Sequence, residues 1–208
     1  LEKAATELRL VADKWEARRP PPGTERPLPE ADQPIPDDVE GQARDMILVG
    51  QAPPISWRQS IRKLDFRNTD LLHLDLLSGL TSLQELYLNS TRVFDLTPLT
   101  GLVALQILRL DGTPVADLAP LAGLAELRSL DIDGTLVSNL SPLQSLATLQ
   151  WLNADNTAIF DLSPLSKLDT LMDLYVYNTP ATDFRILEQN ANLVIHPPPP
   201  GWADGRSP

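Results

Sequence analysis

One 22-residue unit runs six times in succession from Arg58 to Gln189, and no other feature of the chain limits its fold as strongly. The clearest copy spans Leu102 to Gly123 and reads LxxLxxLxLxxTxVxDLxPLxG. Its first Leu recurs at Leu80, Leu102, Leu124, Leu146 and Leu168, its second at Leu83, Leu105, Leu127, Leu149 and Leu171, and its third at Leu86, Leu108, Leu130, Leu152 and Leu174. A unit this short cannot enclose a core alone, so neighbouring copies complete one another and stack into a solenoid. The outermost copies are degenerate. The first keeps Ile61, Leu64, Phe66, Thr69, Leu71, Leu74 and Leu77, and in the last the Asp-Leu-x-Pro-Leu run becomes Asp183-Phe184-Arg185-Ile186-Leu187. Terminal repeats face a cap or solvent instead of another repeat, which relaxes their sequence.

Each copy predicts one short strand and one tight return. In Leu-x-Leu the leucines point inward and the residues between them outward. Successive strands then stack in parallel at about 4.8 Å into a curved sheet. The return starts at Asp95, Asp117 or Asp161, whose carboxylate can cap free amides of a single turn, with Pro98, Pro120 or Pro164 suited to the turn's start. That turn is too short for a long α-helix, so 3₁₀ turns are expected on the convex side.

The LxxLxxLxL runs, with Asp95 to Leu99, Asp117 to Leu121, Asp161 to Leu165 and the variant Asn139 to Leu143, resemble the leucine-rich-repeat family, specifically the 22-residue bacterial type of internalins. The resemblance implies an α/β solenoid: a right-handed superhelix with a parallel concave sheet. One departure is constant. The family's inward Asn is Thr here, at Thr69, Thr91, Thr113, Thr135, Thr157 and Thr179. A buried hydroxyl can bond the backbone of the adjoining turn, so a Thr ladder can replace an Asn ladder.

The flanks divide by composition. Residues 1–19 read as an amphipathic helix, with Leu1, Ala4, Ala5, Leu8, Val11 and Trp15 at helical spacing. Residues 20–37 hold seven prolines (Pro20, Pro21, Pro22, Pro27, Pro29, Pro34 and Pro36) and read as an extended linker. Residues 38–57 read as a helical N-terminal cap. Asp37 or Asp38 starts its helix, Val39, Ala43, Met46 and Ile47 share a face, Gly50 stops it near Val49, and Trp57 covers the first repeat. The repeats occupy 58–189. Residues 190–208 read as a closing strand around Leu193, Val194 and Ile195 and a Pro-rich tail. Both ends look cut from something longer.

The chain carries a formal net charge of −11, and residues 58–189 hold 9 basic against 16 acidic side chains. That argues against nucleic acid or an anionic membrane surface, both of which reward Lys and Arg. Without cysteine there are no disulfides, thiol catalysis or Cys-based zinc sites. No apolar run reaches the 18 residues or so that a membrane span needs. The only histidines, His73 and His196, have no nucleophile in pattern with them, and no phosphate loop, HExxH or GxSxG occurs. The recurring aspartates of the return are structural caps. The expectation is therefore a non-catalytic segment with no cofactor and no metal.

The informative surface is the concave sheet, whose outward residues fall in three columns. The first is Lys63, Glu85, Ile107, Ser129, Trp151 and Asp173; the second is Asp65, Tyr87, Arg109, Asp131, Asn153 and Tyr175; the third is Arg67, Asn89, Asp111, Asp133, Asp155 and Tyr177. None of these positions builds the core. Asp111, Asp133 and Asp155 stand on consecutive strands beside Asp131, and like charges at strand spacing repel by about 1 kcal/mol per pair in full solvent. Arg109 can lie opposite Asp131 and relieve it. Tyr87, Trp151, Tyr175 and Tyr177 set aromatics on the same face, and aromatics beside charge are an interface composition. An aspartate cluster is also a Ca²⁺ donor set, but nothing here resembles an EF-hand loop. The expected partner is a basic protein or peptide, met by a monomer through Tyr87, Arg109, Asp111, Asp131, Asp133, Trp151, Asp155, Tyr175 and Tyr177.

Bacterial proteins with similar repeats include surface adhesins, injected effectors, and intracellular multidomain receptors or GTPases. The flanking prolines and the lack of a sorting feature favour the last two, hence a cytoplasmic or host-injected location over surface anchoring. The alternative is a substrate-recognition segment of an enzyme whose catalytic domain lies outside these residues. A structural spacer is a third reading, which predicts no binding.

Overall fold

The computed structural model describes residues 33–196. The expected helix at 1–19, most of the Pro-rich linker and the tail beyond His196 lie outside the described residues. One parallel sheet runs through the solenoid, with seven strands in sequence order: β1 (Lys63–Asp65), β2 (Glu85–Tyr87), β3 (Ile107–Arg109), β4 (Ser129–Asp131), β5 (Trp151–Asn153), β6 (Asp173–Tyr175) and β7 (Val194–His196). The central residue of each strand points inward: Leu64, Leu86, Leu108, Leu130, Leu152, Leu174 and Ile195 are all essentially fully buried. Pairing follows the 22-residue register from β1 to β6, so Leu108 stands between Leu86 and Leu130. The last step is shorter by one, because Leu174 pairs with Ile195. The closing strand thus starts at Val194, and Leu193 is buried just before it.

A left-handed residue follows every strand of the six repeats. Asn68, Ser90, Gly112, Gly134, Asn156 and Asn178 occupy the same position of the unit, with φ between 52° and 68°. Gly and Asn are the residues that visit this region at least cost, which explains five of the six choices by conformation and leaves Ser90 the strained member. Thr follows directly. Its hydroxyl donates to the carbonyl three residues back, as from Thr113 to Leu110 at 2.5 Å and from Thr135 to Ile132 at 2.7 Å. The Thr column therefore closes its own turns and does not ladder between repeats. The shorter side chain satisfies its hydroxyl within one unit, whereas the reach to the next repeat is supplied by backbone bonds such as Gly112 N to Asp133 O at 2.8 Å.

On the convex side each repeat makes one 3₁₀ turn, at Asp75–Leu77, Thr97–Leu99, Ala119–Leu121, Ser141–Ser145, Ser163–Leu165 and Arg185–Leu187. The aspartate sits one residue before the turn's N-cap and binds the amide two residues on: Asp95 takes Thr97 N–H, Asp117 takes Ala119 N–H and Asp161 takes Ser163 N–H, each at 2.8 Å. Asn139 does the same for Ser141 at 2.9 Å, so the variant copy keeps the function of the column.

Helix α1 (Val39–Leu48) packs against β1. Asp38 caps it by accepting from Gly41 N–H, and Gly50 follows with φ 80°. Ala43 and Ile47 join the core, and Glu40 accepts the amides of Arg62 and Lys63 at 3.0 and 2.8 Å. One carboxylate thereby occupies donors on the edge of β1 that no strand pairs. Buried Trp57 donates its Nε1–H to the Pro34 carbonyl at 2.9 Å, and Ser56 bonds Gln33, so the final stretch of the Pro-rich segment is held against the first repeat.

Candidate functional site on the concave sheet

The outward columns stand as the register requires, and the side chains sort into three zones. At the β1 end, Lys63 Nζ lies 2.9 Å from Glu85, whose other contact is the Tyr87 hydroxyl at 3.0 Å. The hydrogen bond between Lys63 and Glu85 holds the amine above and the carboxyl below their ordinary values. Arg67 pairs with Asp65 at 2.6 Å, and its hydrogen bonds hold that carboxyl low. Both cations approach the Tyr87 ring, at 4.8 Å for Lys63 and 5.4 Å for Arg67. Tyr87 therefore belongs to a zone of internally matched charge. A shallow hollow lined by Arg44, Asp65, Arg67 and Asn68 lies beside it.

The central zone is acidic. Asp111, Asp131, Asp133 and Asp155 are all half-buried. Each third-column aspartate accepts a bond from a neighbouring repeat: Asp111 from the Asn89 amide, Asp133 from Asn156 Nδ2 at 2.7 Å and Asp155 from the Tyr177 backbone at 2.5 Å. The column is thus stitched to its neighbours, and the repulsion expected from spacing alone is partly offset. Asp131 differs. Its carboxylate accepts the Asp133 amide at 3.2 Å and has no ion pair among the described residues. Arg109, its register partner, instead donates to Ser129 Oγ at 2.9 Å and extends over Trp151. Burial, together with the Asp111 and Asp133 charges, pushes the Asp131 carboxyl up to about 6 against the opposition of the Asp133 amide and Arg109. Burial also raises Asp155, against the Tyr177 amide.

The third zone is aromatic. The Arg109 guanidinium sits 4.6 Å from the Trp151 ring centroid, Trp151 and Tyr175 are 5.6 Å apart and tilted, and Tyr175 stacks on His196 at 4.5 Å. His196 also lies 3.3 Å from Asp173. Arg109, Trp151 and Tyr175 are therefore joined in one run, Asp131 lies beside it, and Tyr177 stands exposed and outside the stack. Sequence reasoning missed His196. Counting 22 residues from Tyr175 gives Pro197, and only the short last step puts His196 in the second column.

No protein-family model matches the chain, and no curated protein matches it. Solved structures do. An internalin (inlF) of Listeria monocytogenes is similar over 80% of this chain, at 22% identity and a TM-score of 0.65. Internalin C2 (inlC2) of the same organism is similar over 77% of this chain and 83% of its own, at 25% identity and a TM-score of 0.54. The chain has the leucine-rich-repeat solenoid fold of these internalins. It spans 57% of the inlF chain. Among the described residues of this solenoid, no group of three or more His, Cys, Asp or Glu side chains is placed to hold a metal ion, and no helix is long and apolar enough to cross a membrane.

Proposed function

We propose that this solenoid is a protein-recognition module of a larger bacterial protein, and that its concave face docks a basic protein or peptide. Asp131 carries the reading. Among the described residues this half-buried carboxylate, beside Asp111 and Asp133 and close to Arg109 and Trp151, has no ion-paired cation. A Lys or Arg from a partner supplies that charge, while Trp151 and Tyr175 offer apolar area at small entropic cost. Such charged contacts are screened, so affinity falls as salt rises.

The test replaces Asp111, Asp133 and Asp155 by Lys together and compares the partners that each protein retrieves from lysate at low and high salt. The variant should lose the parent's partners while retaining cooperative urea unfolding. A folded triple variant that retrieves the same partners moves the site off this face. Because Asn89, Asn156 and the Tyr177 amide lose their acceptors in this variant, a small loss of stability accompanies the change.

A further inference from the structure

Each repeat has a second outward-facing surface, between the left-handed turn and the 3₁₀ turn. There the chain is extended and alternates: Val93, Val115, Val137 and Ile159 are buried, and the residues on either side of each are outward. Neighbouring repeats bond to one another through this segment, as in Leu136 N–H to Val115 O at 2.8 Å and Ala158 N–H to Val137 O at 3.1 Å. The outward positions form a flank that is mostly apolar. Phe94 is 54% exposed, Leu136 65% and Phe160 68%, with Leu72, Pro114 and Ala158 among them. Phe94 and Phe160 occupy the same position of units three apart, so about 14 Å separates them along the stack. Exposed aromatics aligned on a rigid face, free of any packing duty, are what interfaces select. Directly beside this flank runs a row of carboxylates, Asp95, Asp117, Asp161 and Asp183, interrupted at Asn139. Hydrogen bonds from Thr97 hold Asp95 below its ordinary range, and those from Arg185 do the same for Asp183, so both are charged at neutral pH.

We propose that this flank is a second docking surface, separate from the concave face, and that it takes a protein segment presenting an apolar face edged by Lys or Arg. The apolar stripe sets the need for an apolar partner, and the acidic border sets the sign of its edge. Asp183 already pairs with Arg185, and an acidic or neutral segment would place its edge against the charges of Asp95, Asp117 and Asp161 or leave them unmatched.

The probes are two fluorescein-labelled 18-residue amphipathic peptides, one of Leu and Lys and one of Leu and Glu, titrated against the full chain by anisotropy. The Lys peptide should bind, and the Glu peptide at least about tenfold more weakly. The Phe94→Ser, Phe160→Ser double variant should weaken Lys-peptide binding by about tenfold or more, although net charge is unchanged. Both rings are more than half exposed, so the core survives; coincident urea unfolding with the parent checks this. The Phe variant should lose more Lys-peptide affinity than the Trp151→Ser, Tyr175→Ser variant, which separates this surface from the concave one. Unchanged binding by the Phe variant overturns the proposal, as does greater loss in the concave variant. Two further results overturn it by naming another occupant. One is a concentration-dependent dimer in sedimentation that the Phe variant abolishes. The other is Lys-peptide binding that appears only when residues 1–19 are removed.

Discussion

The guanidinium of Arg109 lies 4.6 Å over the ring of Trp151, two strands away, and not on Asp131, the residue beside it in the sheet. A cation stacked on indole gains roughly 0.5–2 kcal/mol, depending on how far it is desolvated. By taking that contact Arg109 roofs the neighbourhood of Asp131 without neutralising it.

Asp131→Asn should therefore stabilise the protein at pH 7. The folded carboxyl lies at about 6, above its ordinary value of 3.8, so the folded state binds the proton more tightly than the unfolded one. The unfavourable contribution is absent below about pH 4, grows between pH 4 and 6, and is complete above pH 6. Discounted for the solvent that still reaches the group, the gain at pH 7 is about 1–2 kcal/mol. Urea unfolding of both proteins at pH 7 and pH 4 checks it: the difference should be present at the first and near zero at the second. A variant less stable than the parent at pH 7 would show that the Asp133 amide bond outweighs burial.

The left-handed column predicts opposite signs at two sites. Ser90→Gly relieves a residue at φ 55° and should raise stability by about 1 kcal/mol. Gly134→Ala should lower it by about the same amount through φ 65° alone, since the nearest atom to a new Cβ there is Gly112 N at 3.9 Å. Thermal unfolding of the pair against the parent reads both signs at once.

Leu130→Ala should cost about 2–5 kcal/mol, because this fully buried strand leucine lies between Leu108 and Leu152 and the repeats on both sides cannot collapse into the gap. Asp133→Ala should cost about 1 kcal/mol or less, the net worth of its bond from Asn156. Equal costs in urea would reverse the inward and outward assignment.

Most of the architecture was legible because it sits at constant positions of the unit. The leucines, the Thr column and the aspartate of the return recur, so a period of 22 residues exposes them. What escaped has a physical reason in each case. The flank of Phe94, Leu136 and Phe160 occupies positions whose identity changes from copy to copy, so a consensus passes over it. His196 falls off the count because the last step loses one residue. The donors that tie Asp111, Asp133 and Asp155 to neighbouring repeats come from Asn89, Asn156 and a backbone amide, and spacing alone reports only the charges. The path of Arg109 was decided by the Trp151 ring, a competitor two units distant that a neighbour-by-neighbour reading does not weigh.

That same shortened step at β7 bounds how the molecule can vary. Removal or duplication of a whole unit between Leu80 and Gln189 returns every leucine to a partner of its own kind, so the array can lengthen or contract in blocks and carry its outward side chains along intact. At Leu174 to Ile195 the frame shifts by one residue, so an exchange that includes this step must keep the shorter spacing for Ile195 to stay inward.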